Sequence, residues 1–114
     1  MKLVFMGTPN FSVPALKALA QSNHQICAVY SQPPRPAGRG KKLRLSDVHK
    51  EALDLGLTVH NPTSFKSNKD RTIFRKLKAD IAIVVAYGLI LPNQILSAPN
   101  LGVSIYTPLF CHVG

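Results

Sequence analysis

The chain has 114 residues, enough for one small domain or for part of a larger one. Hydrophobic residues make up 46% and mean hydropathy is +0.08, a globular composition that excludes an intrinsically disordered chain. Fourteen Lys and Arg stand against five Asp and Glu, and the formal charge of +9 favours a polyanionic partner such as nucleic acid.

Cys27 and Cys111 are too few for a disulfide framework, and Cys27 lies in an apolar run where a buried thiol is ordinary. The opening Met1–Gly7 has too short an apolar core for a signal peptide, and no other segment approaches membrane length. The expectation is a soluble cytoplasmic protein, monomeric and without a membrane partner.

In chain order, Lys2 to Met6 reads as a first strand and Gly7-Thr8-Pro9-Asn10 as a tight turn. A helix follows with Pro14 in its first turn and Leu16, Leu19 and Ala20 on its inner stripe. Ile26 to Tyr30 is a second strand. Ser31 to Leu45, rich in Pro and Gly and without an apolar period, reads as a long loop. Ser46 suits the N-cap of a helix carrying Val48, Ala52, Leu53 and Leu55, which Gly56 ends. Leu57 to His60 is a short strand, and a basic helix over about 68–78 buries Ile73, Phe74 and Leu77.

Ile81 to Ala86 is an unbroken apolar run rich in β-branched residues, bounded by Asp80 and Gly88. Such a run suits a strand buried on both faces of a parallel sheet. Pro92 is placed for the first turn of a last helix, to about Ser97. Alternating strands and helices of these lengths predict an α/β fold: a Rossmann-like parallel sheet flanked by helices, with right-handed crossovers. Ligands of open α/β sheets sit outside the carboxyl ends of the strands, which makes Tyr87 to Pro92 a candidate pocket wall.

Gly7-Thr8-Pro9-Asn10 occupies the anion-binding position of a doubly wound sheet, but a single glycine is no dinucleotide fingerprint, and a plain strand-to-helix turn is the simpler reading. The segment Ser31 to Arg44 is more telling. It carries Arg35, Arg39, Lys41, Lys42 and Arg44 and no acid, with Gly38 and Gly40 flanking Arg39 so that the cations can follow an irregular phosphate path. Lys66, Lys69, Arg71, Arg75, Lys76 and Lys78 form a second basic face, read as ordinary solvated surface. His24, His49, His60 and His112 lack metal-ligand spacing, so no metal site is expected, and neither a carboxylate pair nor a Ser-His-Asp arrangement can be proposed.

Val4-Phe5-Met6-Gly7-Thr8-Pro9, Gln32-Pro33, Arg35 to Leu43, and Val84-Val85-Ala86-Tyr87-Gly88-Leu89-Ile90-Leu91-Pro92 with Leu101-Gly102 resemble the methionyl-tRNA formyltransferase family. Asn10 and Pro34 depart from the family, which carries aspartates there. The resemblance implies a Rossmann-like N-terminal domain that moves a formyl group from 10-formyltetrahydrofolate to the amino group of methionine on the initiator tRNA. It implies tRNA contact through Arg35, Arg39, Lys41, Lys42 and Arg44, and folate contact through Gly88, Leu89, Ile90 and Leu91. Residues 1–102 are thus expected to be part of that domain.

Residues 103–114 do not fit. The family continues with a segment close to Asn-Ile-His-Ala-Ser-Leu-Leu-Pro-Arg-Trp, whose Asn and His, with a downstream Asp, deprotonate the amine and stabilise the developing oxyanion. This chain reads Val103-Ser104-Ile105-Tyr106-Thr107-Pro108-Leu109-Phe110-Cys111-His112-Val113-Gly114, and His112 has none of the motif's neighbours. Joining the third base of each codon from Ser104 onward to the first two bases of the next recovers the whole motif by choosing only degenerate bases. The expectation is an out-of-frame tail from about Val103, no catalytic residue in this chain, and a strand over Val103 to Tyr106 pairing beside Ile81 to Ala86, ended by Pro108. An inactive formyltransferase fragment is therefore the first reading. A catalytically silent nucleic-acid-binding module using the same basic loop is the alternative, and a nucleotide-sugar formyltransferase is disfavoured because it has no use for the loop.

Overall fold

The computed structural model describes residues 1–37, 40 and 42–106. Five strands form one parallel sheet: β1 (Lys2–Gly7), β2 (Gln25–Tyr30), β5 (Val59–His60), β6 (Ile81–Val85) and β7 (Val103–Tyr106), in the order β5-β2-β1-β6-β7. The chain steps outward from β1 through β2 to β5, then returns to β6 on the other side of β1. Strand order reverses between β1 and β6, the place where ligands bind in such sheets.

Helices cover both faces. On one face, α1 (Val13–Ala20) and α2 (Asp47–Asp54) bring Leu16, Val48 and Ala52 onto Phe5, Val29 and Val85. On the other, α3 (Asn68–Lys76) and α4 (Asn93–Leu96) bring Phe74 and Ile95 onto Val4, Met6, Ala28 and Tyr30. Alternate residues of β1 feed opposite cores, and Leu3 to Met6 are all buried. Each fully buried side chain of this size contributes about 1.5–3 kcal/mol.

The sequence reading holds for the central strands and for the capping of α2, where Ser46 Oγ accepts from the His49 amide at 3.0 Å. It needs correction at four places. Within 31–45 the chain is not all loop: β3 (Arg35–Ala37) and β4 (Lys42–Arg44) pair as an antiparallel hairpin, with Arg35 opposite Arg44. The strand expected over 57–60 narrows to Val59–His60. Leu53 and Leu55 face solvent, because the buried stripe of α2 is Val48 and Ala52. Pro92 stands one residue before α4, as its N-cap.

β7 pairs in parallel with β6, Val84 opposite Ile105 and Val85 opposite Tyr106. The expected pairing of Val103 to Tyr106 is present. The expectations for Pro108 and for 109–114 lie outside the described residues.

Candidate functional site

The carboxyl ends of β1, β2 and β6 converge on a hydrogen-bonded junction. Thr8, just after β1, donates through Oγ1 to the Tyr87 carbonyl at 2.7 Å and accepts from the Gln32 amide at 3.3 Å. Gln32, just after β2, donates through Nε2 to the same Tyr87 carbonyl at 3.1 Å, while its Oε1 accepts from Arg35. Ser12 is buried and donates through Oγ to the Val85 carbonyl at 2.6 Å. These bonds satisfy carbonyls that β6 frees as it leaves the sheet through Ala86, whose φ is 55°.

Two glycines are required by this junction. A Cβ on Gly7 would stand 2.8 Å from the Val85 carbonyl and 2.9 Å from the Phe5 ring. Gly88 has a φ of 90°, and a Cβ there would run into the Gln32 carboxamide. The turn after β6 is thereby held against the start of the basic segment.

A cavity of about 410 Å³ lies on the β2 side of the junction, lined by Thr8, Gln32, Arg35, Arg44, Ser46 and Asp47 among others. Arg35 and Arg44, adjacent across the hairpin, both face it, and they outnumber its one carboxylate. Ser31 and Ser46 share a hydrogen bond beneath it, and the α2 N-terminus is tied in by the Val48 amide donating to the Thr8 carbonyl at 3.3 Å. Cations, hydroxyls and a helix start suit a phosphate-bearing ligand.

On the β6 side, the turn 88–91 separates two further cavities. One of about 310 Å³ is lined by Tyr87, Gly88, Leu89, Leu91, Leu96 and Ile105. The other, of about 350 Å³, is lined by Phe65, Lys66, Arg71, Gly88, Leu89 and Ile90 among others. Ile90, at the edge of the second cavity, is 89% exposed, an unusual position for an isoleucine. Beneath the turn, Tyr30, Phe65 and Tyr87 pack ring to ring, with centroids 5.6 Å and 6.4 Å apart from Phe65. Burial pushes both tyrosine hydroxyls up from their ordinary value, so they stay neutral.

Of the residues singled out from sequence, Arg35 and Arg44 come together at one cavity, and Gly88, Leu89, Ile90 and Leu91 share the turn between two others. Lys42 is in β4, opposite Ala37. Arg39 and Lys41 lie outside the described residues. Nothing in the sequence marks Gln32 and Thr8 as junction residues. Their partner is 55 or more positions away, and only the strand order brings them together. Among the described residues no group of three His, Cys, Asp or Glu side chains is placed to hold a metal ion, and no helix is long and apolar enough to cross a membrane.

A parallel sheet with its crevice at the β1–β6 reversal and helices on both faces makes this a Rossmann-like α/β domain. The chain belongs to the formyl transferase family, which matches residues 1–109. Within it, the chain is similar to methionyl-tRNA formyltransferases. It is 60% identical to that of Ruegeria pomeroyi over 102 residues and 60% identical to that of Paracoccus denitrificans over 102, covering 90% of this chain and 34% of each relative. It is 55% identical to that of Agrobacterium fabrum over 103 residues, covering 90% of this chain and 33% of the relative. The chain spans about a third of the length of the relatives it matches.

Proposed function

We propose that this chain carries the donor-facing and tRNA-facing elements of a methionyl-tRNA formyltransferase and does not itself transfer the formyl group. In this reading the turn Gly88 to Leu91 faces the pterin of a folate-derived formyl donor, 10-formyltetrahydrofolate. The hairpin with Arg35, Arg44 and Lys42, and the intervening Arg39 and Lys41, contacts phosphates at the acceptor end of initiator methionyl-tRNA. The protein acts as a cytoplasmic monomer.

The observation that carries this reading is the Thr8–Gln32–Tyr87 junction, which joins the basic hairpin to the donor-facing turn through one carbonyl. An acceptor RNA and a formyl donor must be brought to one place for the transfer, and a shared hydrogen-bonded base holds their two surfaces in fixed relation. Lack of transfer follows from Val103 onward, where Val103-Ser104-Ile105-Tyr106-Thr107 stands in place of the Asn-Ile-His segment that would take the amine proton and meet the oxyanion.

The test is a pair of measurements on the purified chain. Fluorescence anisotropy with initiator methionyl-tRNA is expected to give salt-sensitive binding, and formylation with 10-formyltetrahydrofolate is expected to stay at background. Turnover that a folate-site competitor abolishes overturns the inactive reading; absence of tRNA binding at low salt overturns the hairpin's role.

A further inference from the structure

The exposed face of α3 carries charge that the hairpin does not account for. Residues 66–78 hold six cations and one acid, Asp70. Lys66 and Arg71 line the cavity beside the turn after β6. The other four cations, Lys69, Arg75, Lys76 and Lys78, are all exposed. With about 100° between successive helical residues, Lys69, Thr72, Arg75 and Lys76 share the side turned away from buried Phe74. Arg75 Nη2 donates to Thr72 Oγ1 at 3.4 Å, which keeps the guanidinium on that side.

Among the described residues no acid pairs with these cations. The ion pair found there is Lys17–Glu51, on α1 and α2. Asp70 is half-buried, and its charge acts inward on Tyr30, His60 and Tyr87. Neighbouring α4 has no charged side chain. The helix dipole favours cations at a carboxyl end, where Arg75 and Lys76 stand, but opposes one in the first turn, where Lys69 stands. Helix stability therefore does not explain the whole set.

A phosphate backbone and an acidic lipid surface would both meet such a charge. A helix that lies on lipid presents apolar side chains beside its cations. Here no large apolar side chain between residues 56 and 89 is exposed, and Phe74 and Leu77 pack into the core. Cations alone, spread from Lys69 to Lys76 over about 10 Å of helix axis, suit a row of phosphates.

We propose that the exposed face of α3 is a second RNA surface, on which Lys69, Arg75, Lys76 and Lys78 neutralise phosphates of a duplex backbone without reading its sequence. The hairpin follows the carboxyl end of β2, whereas α3 runs back towards the amino ends of the strands, because the chain leaves β5 and enters β6. The two surfaces lie on separate elements, and this one does not rest on the hairpin's role.

The test is fluorescence anisotropy on the full chain across a salt series, with two probes: initiator tRNA and a plain RNA duplex. Lys69→Gln, Arg75→Gln and Lys76→Gln together are expected to flatten the slope of log affinity against log salt by about two with both probes, at about 0.7–0.9 per phosphate. A control carrying Lys2→Gln, Lys17→Gln and Lys50→Gln loses as much charge from exposed positions elsewhere and is expected to keep the slope. Lys69→Gln alone, which relieves the helix dipole and so keeps the fold, is expected to lose about 0.7–0.9 of slope. The α3 loss is expected to persist when Arg39, Lys41 and Lys42 are already Ala, so failure of the hairpin reading leaves it readable. Equal flattening by the control reduces the effect to net charge and overturns the surface. A loss seen with tRNA alone overturns the backbone reading, and an unchanged slope returns the face to solvent. If the α3 variant instead loses binding to phosphatidylcholine–phosphatidylserine vesicles while both RNA slopes stay, the face belongs to lipid and the proposal fails.

Discussion

The Gln32 carboxamide reaches the Tyr87 carbonyl at 3.1 Å and closes the space in which any side chain at position 88 would have to stand. One contact therefore fixes both the hydrogen bonding of the junction and the identity of Gly88. Substituting Gln32→Ala removes a part-buried hydrogen bond and is expected to cost about 1 kcal/mol. Gly88→Ala adds a clash with Gln32 to the strain of a φ of 90°, for about 1–3 kcal/mol. The double substitution is expected to cost less than the sum, because the clash vanishes with the carboxamide while the backbone strain stays. Urea denaturation of the four proteins measures this, and strict additivity would mean that the two residues do not meet.

RNA binding should report the hairpin. Each phosphate neutralised contributes a slope of about −0.7 to −0.9 in the logarithm of affinity against the logarithm of salt. Replacing Arg39, Lys41 and Lys42 together with Ala is expected to flatten the slope by about two to three on that scale, and Arg35→Ala with Arg44→Ala to flatten it further. An unchanged slope in the triple variant would return the segment to solvent.

Acid should loosen the amino-terminal edge of β1. The Lys2 amide donates to Asp80 Oδ2 at 2.7 Å, and this bond holds the Asp80 carboxyl below its ordinary value of 3.8. Because the folded-state value is the lower one, the contribution is present above pH 3.8 and is lost as pH falls through the folded value. Asp80→Asn is expected to show less loss of stability than wild type on titration below about pH 4. Parallel titrations of Tm for the two proteins would rule out this role for Asp80.

What the sequence made legible was what burial dictates. Leu3 to Met6 and Ile81 to Val85 are apolar without interruption because both sheet faces are covered, and that pattern has few other readings. The β3–β4 hairpin was not legible: Pro36 and the run of cations carry no alternation, and its pairing is set by the register of Arg35 with Arg44. Nor was the cationic lining of the cavity beside the turn after β6, since Lys66 and Arg71 look the same in sequence over a hollow as over a flat surface. Gln32 and Thr8 became functional candidates only when strand order carried them to Tyr87.

The last prediction concerns the frame of β7. If residues from about Val103 are read out of frame, a one-base insertion at the Gly102 codon restores the family segment and puts Asn at the position of Ile105 and His at that of Thr107. Position 105 is not arbitrary. Its Cα is paired with Val84, and Ile105, now 62% exposed, lines the hollow bounded by Gly88, Leu89 and Leu91, the wall assigned to the donor. Parallel pairing rests on the backbone, so β7 can form with either set of side chains, and only the restored set brings an amide to that hollow. The DNA can be read before any protein is made: the codons of Ser104, Tyr106, Pro108, Leu109, Cys111, His112 and Val113 must end in A, C, T, C, C, C and T for the whole segment to be restored. A different base at Ser104 or Tyr106, which supply the Asn and the His, sinks the frame explanation. With those bases in place, the restored reading frame is expected to yield methionyl-tRNA formylation, whereas Ile105→Asn alone, without a His at position 107, is expected to stay at background. Activity from the single substitution would show that this strand needs no partner residues beyond it.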